Sequence, residues 1–213
     1  MRKNYFIAFE GIDGSGKSTQ VKSLTEKLNQ SGYKVYSTFE PTDSPIGSLI
    51  KKIFKGQMEA DHKTIAALFV ADRLDHLLNK TNGLLKKMEE GFTVISDRYY
   101  FSSYAYHGTH MPMDWVIEAN TLCADLLRPD LTVFIDVPAD VCMQRLSTGR
   151  NMMELYESLD NLNKVREKYF ESFDKLKHEE NIFITDGNRS SDAIFNDIWN
   201  KIGSILQLHK LHS

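Results

Sequence analysis

A glycine-rich loop between an apolar run and a helical pattern constrains this chain more than any other feature. Tyr5 to Phe9 is apolar throughout and reads as a buried strand. From Gly11 to Ser18 the spacing is G-x-x-x-x-G-K-S, and Val21, Leu24 and Leu28 then recur at helical intervals. Strand, loop and helix in that order make a phosphate-binding loop, in which backbone N–H groups turn inward at the positive end of the helix. Gly14 and Gly16 let the backbone approach an anion closely. Lys17 is placed to reach the β- and γ-phosphates and the Ser18 hydroxyl to hold Mg2+. The triphosphate site so defined is Gly11, Ile12, Asp13, Gly14, Ser15, Gly16, Lys17, Ser18 and Thr19. Asp13 is the odd member, because a carboxylate repels phosphate. It is either a turn residue or a group facing a sugar hydroxyl of a second ligand, and its chemistry alone does not choose.

The remaining pattern alternates short strands with helices. Lys34–Phe39, Gly91–Asp97, Leu131–Val137 and Asn181–Asp186 read as further strands. Helices are expected at Pro45–Phe54, from Asp61 as cap to about Asn79, and at Ser191–Leu208. Such alternation predicts an α/β three-layer sandwich of the P-loop NTPase type, a five-stranded parallel sheet with helices on both faces. Ligands then bind at the carboxyl ends of the strands, where Gly11–Ser18, Glu40, Asp97 and Asp136 all fall.

At 213 residues the chain fits a single domain, 1–213, and its net charge of −3 points to neither nucleic acid nor a membrane surface. No signal-peptide pattern precedes the first strand, and no apolar run approaches spanning length. Cys123 and Cys142 sit in apolar helical patterns without metal spacing, as reduced core residues of a cytoplasmic protein would.

Three further clusters carry chemistry. On the helix from Asp61, Ile65, Leu68 and Phe69 mark an inward face that continues into Asp72 and Arg73. Phe69 and Arg73, four apart, offer a flat ring beside a planar donor fork, which suits a nucleobase; the plainer alternative is an Asp72–Arg73 ion pair. Asp97 ends an apolar strand where it can face metal and phosphates, Arg98 can take a phosphate bidentately, and Ser102 and Tyr106 belong to a hydroxyl-bearing aromatic wall. His107 reads as a solvated or packed histidine with nothing nearby to make it a base. Arg145 to Glu157 is a polar, glycine-containing stretch that could close over a triphosphate and bring guanidinium charge to it, or simply connect two helices. A guanine-specifying N-K-x-D motif is missing: Asn79-Lys80-Thr81-Asn82 lacks the aspartate.

With these residues in view, the chain resembles the thymidylate kinases. The resemblance rests on F-E-G-I-D-G-S-G-K-S-T at Phe9–Thr19, E-P-T-D-S-P-I-G at Glu40–Gly47 and L-F-V-A-D-R at Leu68–Arg73. It continues through D-R-Y-Y-F-S-S-Y-A-Y at Asp97–Tyr106, R-P-D-L-T-V-F-I-D-V at Arg128–Val137 and E-L-Y-E at Glu154–Glu157. It implies an enzyme transferring the γ-phosphoryl of Mg-ATP to dTMP, a homodimer, and a lid at about 145–158. Position by position, it implies Asp13 on the acceptor 3′-hydroxyl, Phe69 stacked on thymine, Arg73 and Ser102 at the base edge, and Glu40 in the acceptor loop. Arg98 would grip the acceptor phosphate, Asp97 organise phosphates and Mg2+ with Ser18, and Tyr106 and Tyr156 crowd the deoxyribose. The catalytic set it implies is Lys17, Asp97, Arg98, Arg145 and Arg150. Relatives carry a catalytic arginine in the loop or in the lid, and Gly14 stands at the loop position here, so Arg145 and Arg150 become the expected suppliers. Two departures stand out: Phe39 and Leu155 occupy places where many relatives have arginine.

Overall fold

The computed structural model describes residues 4–149 and 158–206. Its centre is β1 (Phe6–Glu10), a strand in which all five residues are buried. A strand covered on both faces needs no polar alternation, which is why this run is apolar almost to its end. The strands β2 (Val35–Phe39), β3 (Thr93–Asp97), β4 (Leu131–Asp136) and β5 (Ile182–Asp186) complete one parallel sheet in the order β2-β3-β1-β4-β5. Phe9 lies opposite Asp97 on one side and Val133 on the other. The polar ends of β1, β3 and β4 therefore emerge together at one edge. The chain turns to one side of β1 for β2 and β3 and to the other for β4 and β5, opening a crevice at the carboxyl end of β1.

Nine helices are present among the described residues. Helix α1 (Lys17–Gln30) begins directly from the glycine-rich loop. Ser44 caps α2 (Pro45–Phe54) by accepting the Gly47 N–H, with Pro45 in the first turn. Asp61 caps α3 (His62–Leu78), as its sequence position predicts. After α4 (Leu84–Glu89) and β3, α5 (Tyr100–His107) is buried on every side, so it shows no amphipathic period to read. It packs against α8 (Leu159–Leu176), α6 (Met113–Leu126) and α3. Helix α7 (Ala139–Gly149) packs on α8, and α9 (Ser191–Leu206) lies against α1. Both cysteines are free and buried, Cys123 in α6 and Cys142 in α7. Apart from the main core, Ile50, Ile53, Ile65 and Phe69 form a small apolar cluster between α2 and α3. Phe69 of that cluster lines the site.

Candidate active site

The loop closes around its own lysine. Lys17 Nζ donates to the carbonyls of Gly11 and Ile12 at 3.0 Å each, and burial and the nearby Arg98 charge hold its pKa below the usual lysine value. Gly11, Gly14 and Gly16 have φ of 149°, 83° and 94°, a left-handed region that side chains disfavour. At Gly14 the limit is also one of space: a Cβ there would meet the Cys142 carbonyl oxygen at 2.7 Å. Ser18 Oγ donates to Asp97 Oδ2 at 2.5 Å, joining the start of α1 to the end of β3. Lys17, Ser18, Thr19 and Asp97 line an open cleft of about 790 Å³.

A second, more enclosed cavity of about 280 Å³ adjoins it, with Asp13, Phe69, Arg98, Ser102, Tyr106 and His107 in its wall. Asp13, Phe39 and Arg98 line both spaces and so mark where they meet. Arg98 has φ of 77°, unusual for a non-glycine residue, and is fixed there by its N–H on the Phe9 carbonyl and its own carbonyl accepting from Ser96 Oγ. Its guanidinium reaches Asp13, Tyr106 Oη, Ser102 Oγ and the Gly11 carbonyl. Tyr106 Oη donates to the other Asp13 oxygen at 2.7 Å. Burial alone would raise the Asp13 pKa, but the charges of Arg98 and Lys17 and the hydroxyl of Tyr106 hold it below the usual value. Asp13 thus meets Arg98 and Tyr106 where the two spaces join.

Arg73 sits behind this wall, 1% exposed, and not among the residues lining the cavity. Its Nε and Nη2 both reach Glu40, Nη2 also the Tyr99 carbonyl, and Nη1 both Ser103 and Asn120. The expected base-edge fork is therefore occupied within the protein. Asp72 does not pair with Arg73 either: it accepts from Thr42 N, Thr42 Oγ1 and Ser44 Oγ, fastening the loop after β2. Glu40 bridges Arg73 and His76, which hold its pKa low against burial.

Sequence reasoning missed Glu10, a fully buried carboxylate that accepts from Tyr99 N, Ser102 N, Ser102 Oγ and Tyr169 Oη. Its signal was present: a lone carboxylate closing an apolar strand. Tyr169 could have been found from the inward period of α8, at Leu162, Val165, Tyr169 and Phe173. His107 is the packed histidine of the two alternatives, with its ring centroid 5.1 Å from that of Phe69. Arg145 donates to the carbonyls of Gly14 at 3.4 Å and Gly187 at 3.1 Å, fastening α7 to the loop. Arg150, Leu155, Tyr156 and most of the expected lid lie outside the described residues.

Chemically, the site joins an anion-binding loop to an apolar slot with a flat ring, and the carboxylate–arginine–tyrosine cluster stands between them. Comparison with known proteins agrees. The family model described as thymidylate kinase matches residues 9–198. A probable thymidylate kinase of Caldivirga maquilingensis is 38% identical over 197 residues, covering 91% of this chain and 90% of the relative. One of Methanocaldococcus jannaschii is 35% identical over 199 residues, covering 93% and 95%. A third, from Pyrococcus horikoshii, is 38% identical over 173 residues, covering 78% and 82%. With fold, loop and relatives in agreement over nearly its whole length, the chain belongs to the thymidylate kinase family.

Proposed function

We propose that this protein transfers the γ-phosphoryl group of ATP to dTMP, giving dTDP and ADP. The observation that carries the reading is the shared boundary of the two spaces, where Asp13, Phe39 and Arg98 face both the phosphate cleft and the enclosed cavity. Two anionic substrates held in those spaces meet at that boundary, as direct transfer requires. The acceptor phosphate is already a nucleophile, so the protein's part is positioning and charge stabilisation. The loop N–H groups and Lys17 hold the ATP phosphates. Ser18 Oγ and Asp97 are hard oxygen donors within 2.5 Å of each other, a fit for Mg2+ together with phosphate oxygens and water. The metal, when bound, would offset charge on the phosphates.

In the cavity, thymine stacks on Phe69 and the sugar 3′-hydroxyl donates to Asp13, with Tyr106 against C2′. The Ser102 hydroxyl hydrogen is given to Glu10 and Arg73 is engaged with Glu40, so the base edge falls to Ser103, whose oxygen accepts from Arg73 while its hydroxyl can still donate, and to His107, four residues further along α5. The free, buried thiols of Cys123 and Cys142 suit a cytoplasmic protein. Exposed Trp115 and Leu122, seven apart on α6, support the homodimer that the resemblance implies. Its check is the solution mass.

The test of function is ADP release with dTMP, dUMP, UMP, CMP and AMP as acceptors. A methyl in an apolar pocket contributes only ~1–3 kcal/mol, so dUMP should trail dTMP by roughly 10- to 200-fold. UMP should be nearly inactive, and Tyr106→Ala should narrow the gap between UMP and dTMP. A parent that uses UMP as well as dTMP would overturn both the sugar gate and the assignment.

A further inference from the structure

The boundary between the two spaces must receive a phosphate dianion, yet its fixed charges nearly cancel. Arg98 is engaged with Asp13 in an ion pair, and Phe39, 44% exposed on the same boundary, brings no charge. A dianion placed there faces the Asp13 carboxylate as well as the guanidinium, so Arg98 by itself leaves it poorly compensated. One more cation reaches this place. Lys51, in the last turn of α2, lines the cavity with its Nζ 4.8 Å from the centroid of the Phe39 ring. Its ammonium is held at 2.6 Å by Asp43, whose side chain is 81% exposed while that of Lys51 is 31% exposed.

We propose that Lys51 is a binding residue for the acceptor's phosphate, exchanging its Asp43 partner for the phosphate oxygens when the nucleotide enters. The exchange is easy, because a solvent-facing pair of this kind is only weakly held. The Phe39 ring provides a shelf that keeps the ammonium at the boundary by a cation–π contact. Lys55, one turn further along and also in the cavity wall, adds positive potential without reaching that ring. The consequence is that acceptor affinity depends on a residue of α2, outside the loop and the strand ends where the charge of this site is otherwise concentrated.

This inference rests on the dTMP kinase reading, and the experiment separates the two. The parent's turnover of dTMP is measured first, and its absence defeats the functional reading itself. In an active parent, KM for dTMP and for ATP is then compared with Lys51→Met and Lys51→Arg. Removal of a charged hydrogen bond should raise KM for dTMP about tenfold or more in Lys51→Met and leave KM for ATP unchanged. Lys51→Arg should stay close to the parent. Thymidine, which has the base and sugar but no phosphate, supplies the second measurement as a competitive inhibitor. Its inhibition constant should be the same in parent and Lys51→Met. The proposal fails if Lys51→Met leaves KM for dTMP within about twofold. It fails equally if the thymidine inhibition constant rises in parallel, because Lys51 would then only shape the cavity.

Discussion

Arg73 has five N–H donors, and each lies within hydrogen-bonding reach of Glu40, Ser103, Asn120 or the Tyr99 carbonyl. Its place four residues after Phe69 suits a nucleobase and the resemblance puts it at the base edge, but spacing on one helix cannot reveal partners in the loop after β2, on α5 and on α6. In the fold it joins those elements, and Glu40 depends on it for compensation. Arg73→Met would leave the Glu40 carboxylate buried with only His76 beside it, so stability should fall by ~3–5 kcal/mol. Urea unfolding of the variant checks this. A normal midpoint with a raised KM for dTMP would return Arg73 to the base edge. Lys17 is the opposite case, a buried cation whose hydrogen bonds among the described residues go to two carbonyls of its own loop. Lys17→Ala should therefore leave folding intact and cut turnover by ~10³-fold or more. Turnover within tenfold of the parent would remove the loop from the mechanism.

At the scale of elements, strands and capped helices were legible and the buried helix was not. The strands were predicted within a residue or two because the central three are buried on both faces and mostly apolar, and Ser44 and Asp61 signal their helices by side-chain capping. Helix α5 was visible only as a run of aromatics, since eight buried residues leave no polar side to mark a period. The approach of α7 to the loop was also hidden. Cys142 comes so close to Gly14 that no side chain fits there, which explains why this loop carries no arginine of its own. Any guanidinium charge that the proposed transfer uses would then come from beyond the loop, and Arg145 is one candidate, already resting on the Gly14 carbonyl. Because Arg145 has this structural contact, Arg150→Ala should be the more damaging change to catalysis. We expect it to lower kcat by about 10²-fold while leaving KM for dTMP nearly unchanged. If Arg145→Ala has that effect instead, the role belongs to α7. Should neither lower kcat tenfold, guanidinium charge from this segment is not used.

Across the whole molecule, buried ionisable groups in and behind the enclosed cavity tie folding to pH. His107 is 2% exposed, its Nδ1 has no hydrogen-bond partner among the described residues, and burial together with the charges of Arg73, His110 and His62 pushes its pKa down to about 3. It is therefore neutral in the folded protein, whereas the unfolded chain protonates it near pH ~6.5. The unfolded state binds more protons throughout the window between those values. The contribution of His107 to stability is thus fully present above the upper value and is lost as pH falls toward the lower one. Asp13 and Glu40, both held below the usual carboxylate range, add losses in the same direction, but only in more acidic solution. Glu10 acts oppositely: burial raises its pKa, so its contribution is fully present below the ordinary carboxylate pKa and fades as pH rises through the folded value. The His107 share can be isolated by comparing the parent with His107→Phe, which keeps a ring against Phe69 and cannot titrate. From about pH 7 to about pH 5 the parent should lose ~2 kcal/mol more than the variant in urea unfolding. Equal losses in the two proteins would mean that His107 takes up its proton in the fold over the same pH range as in the unfolded chain, so that burial does not hold the imidazole neutral below about pH 6.5.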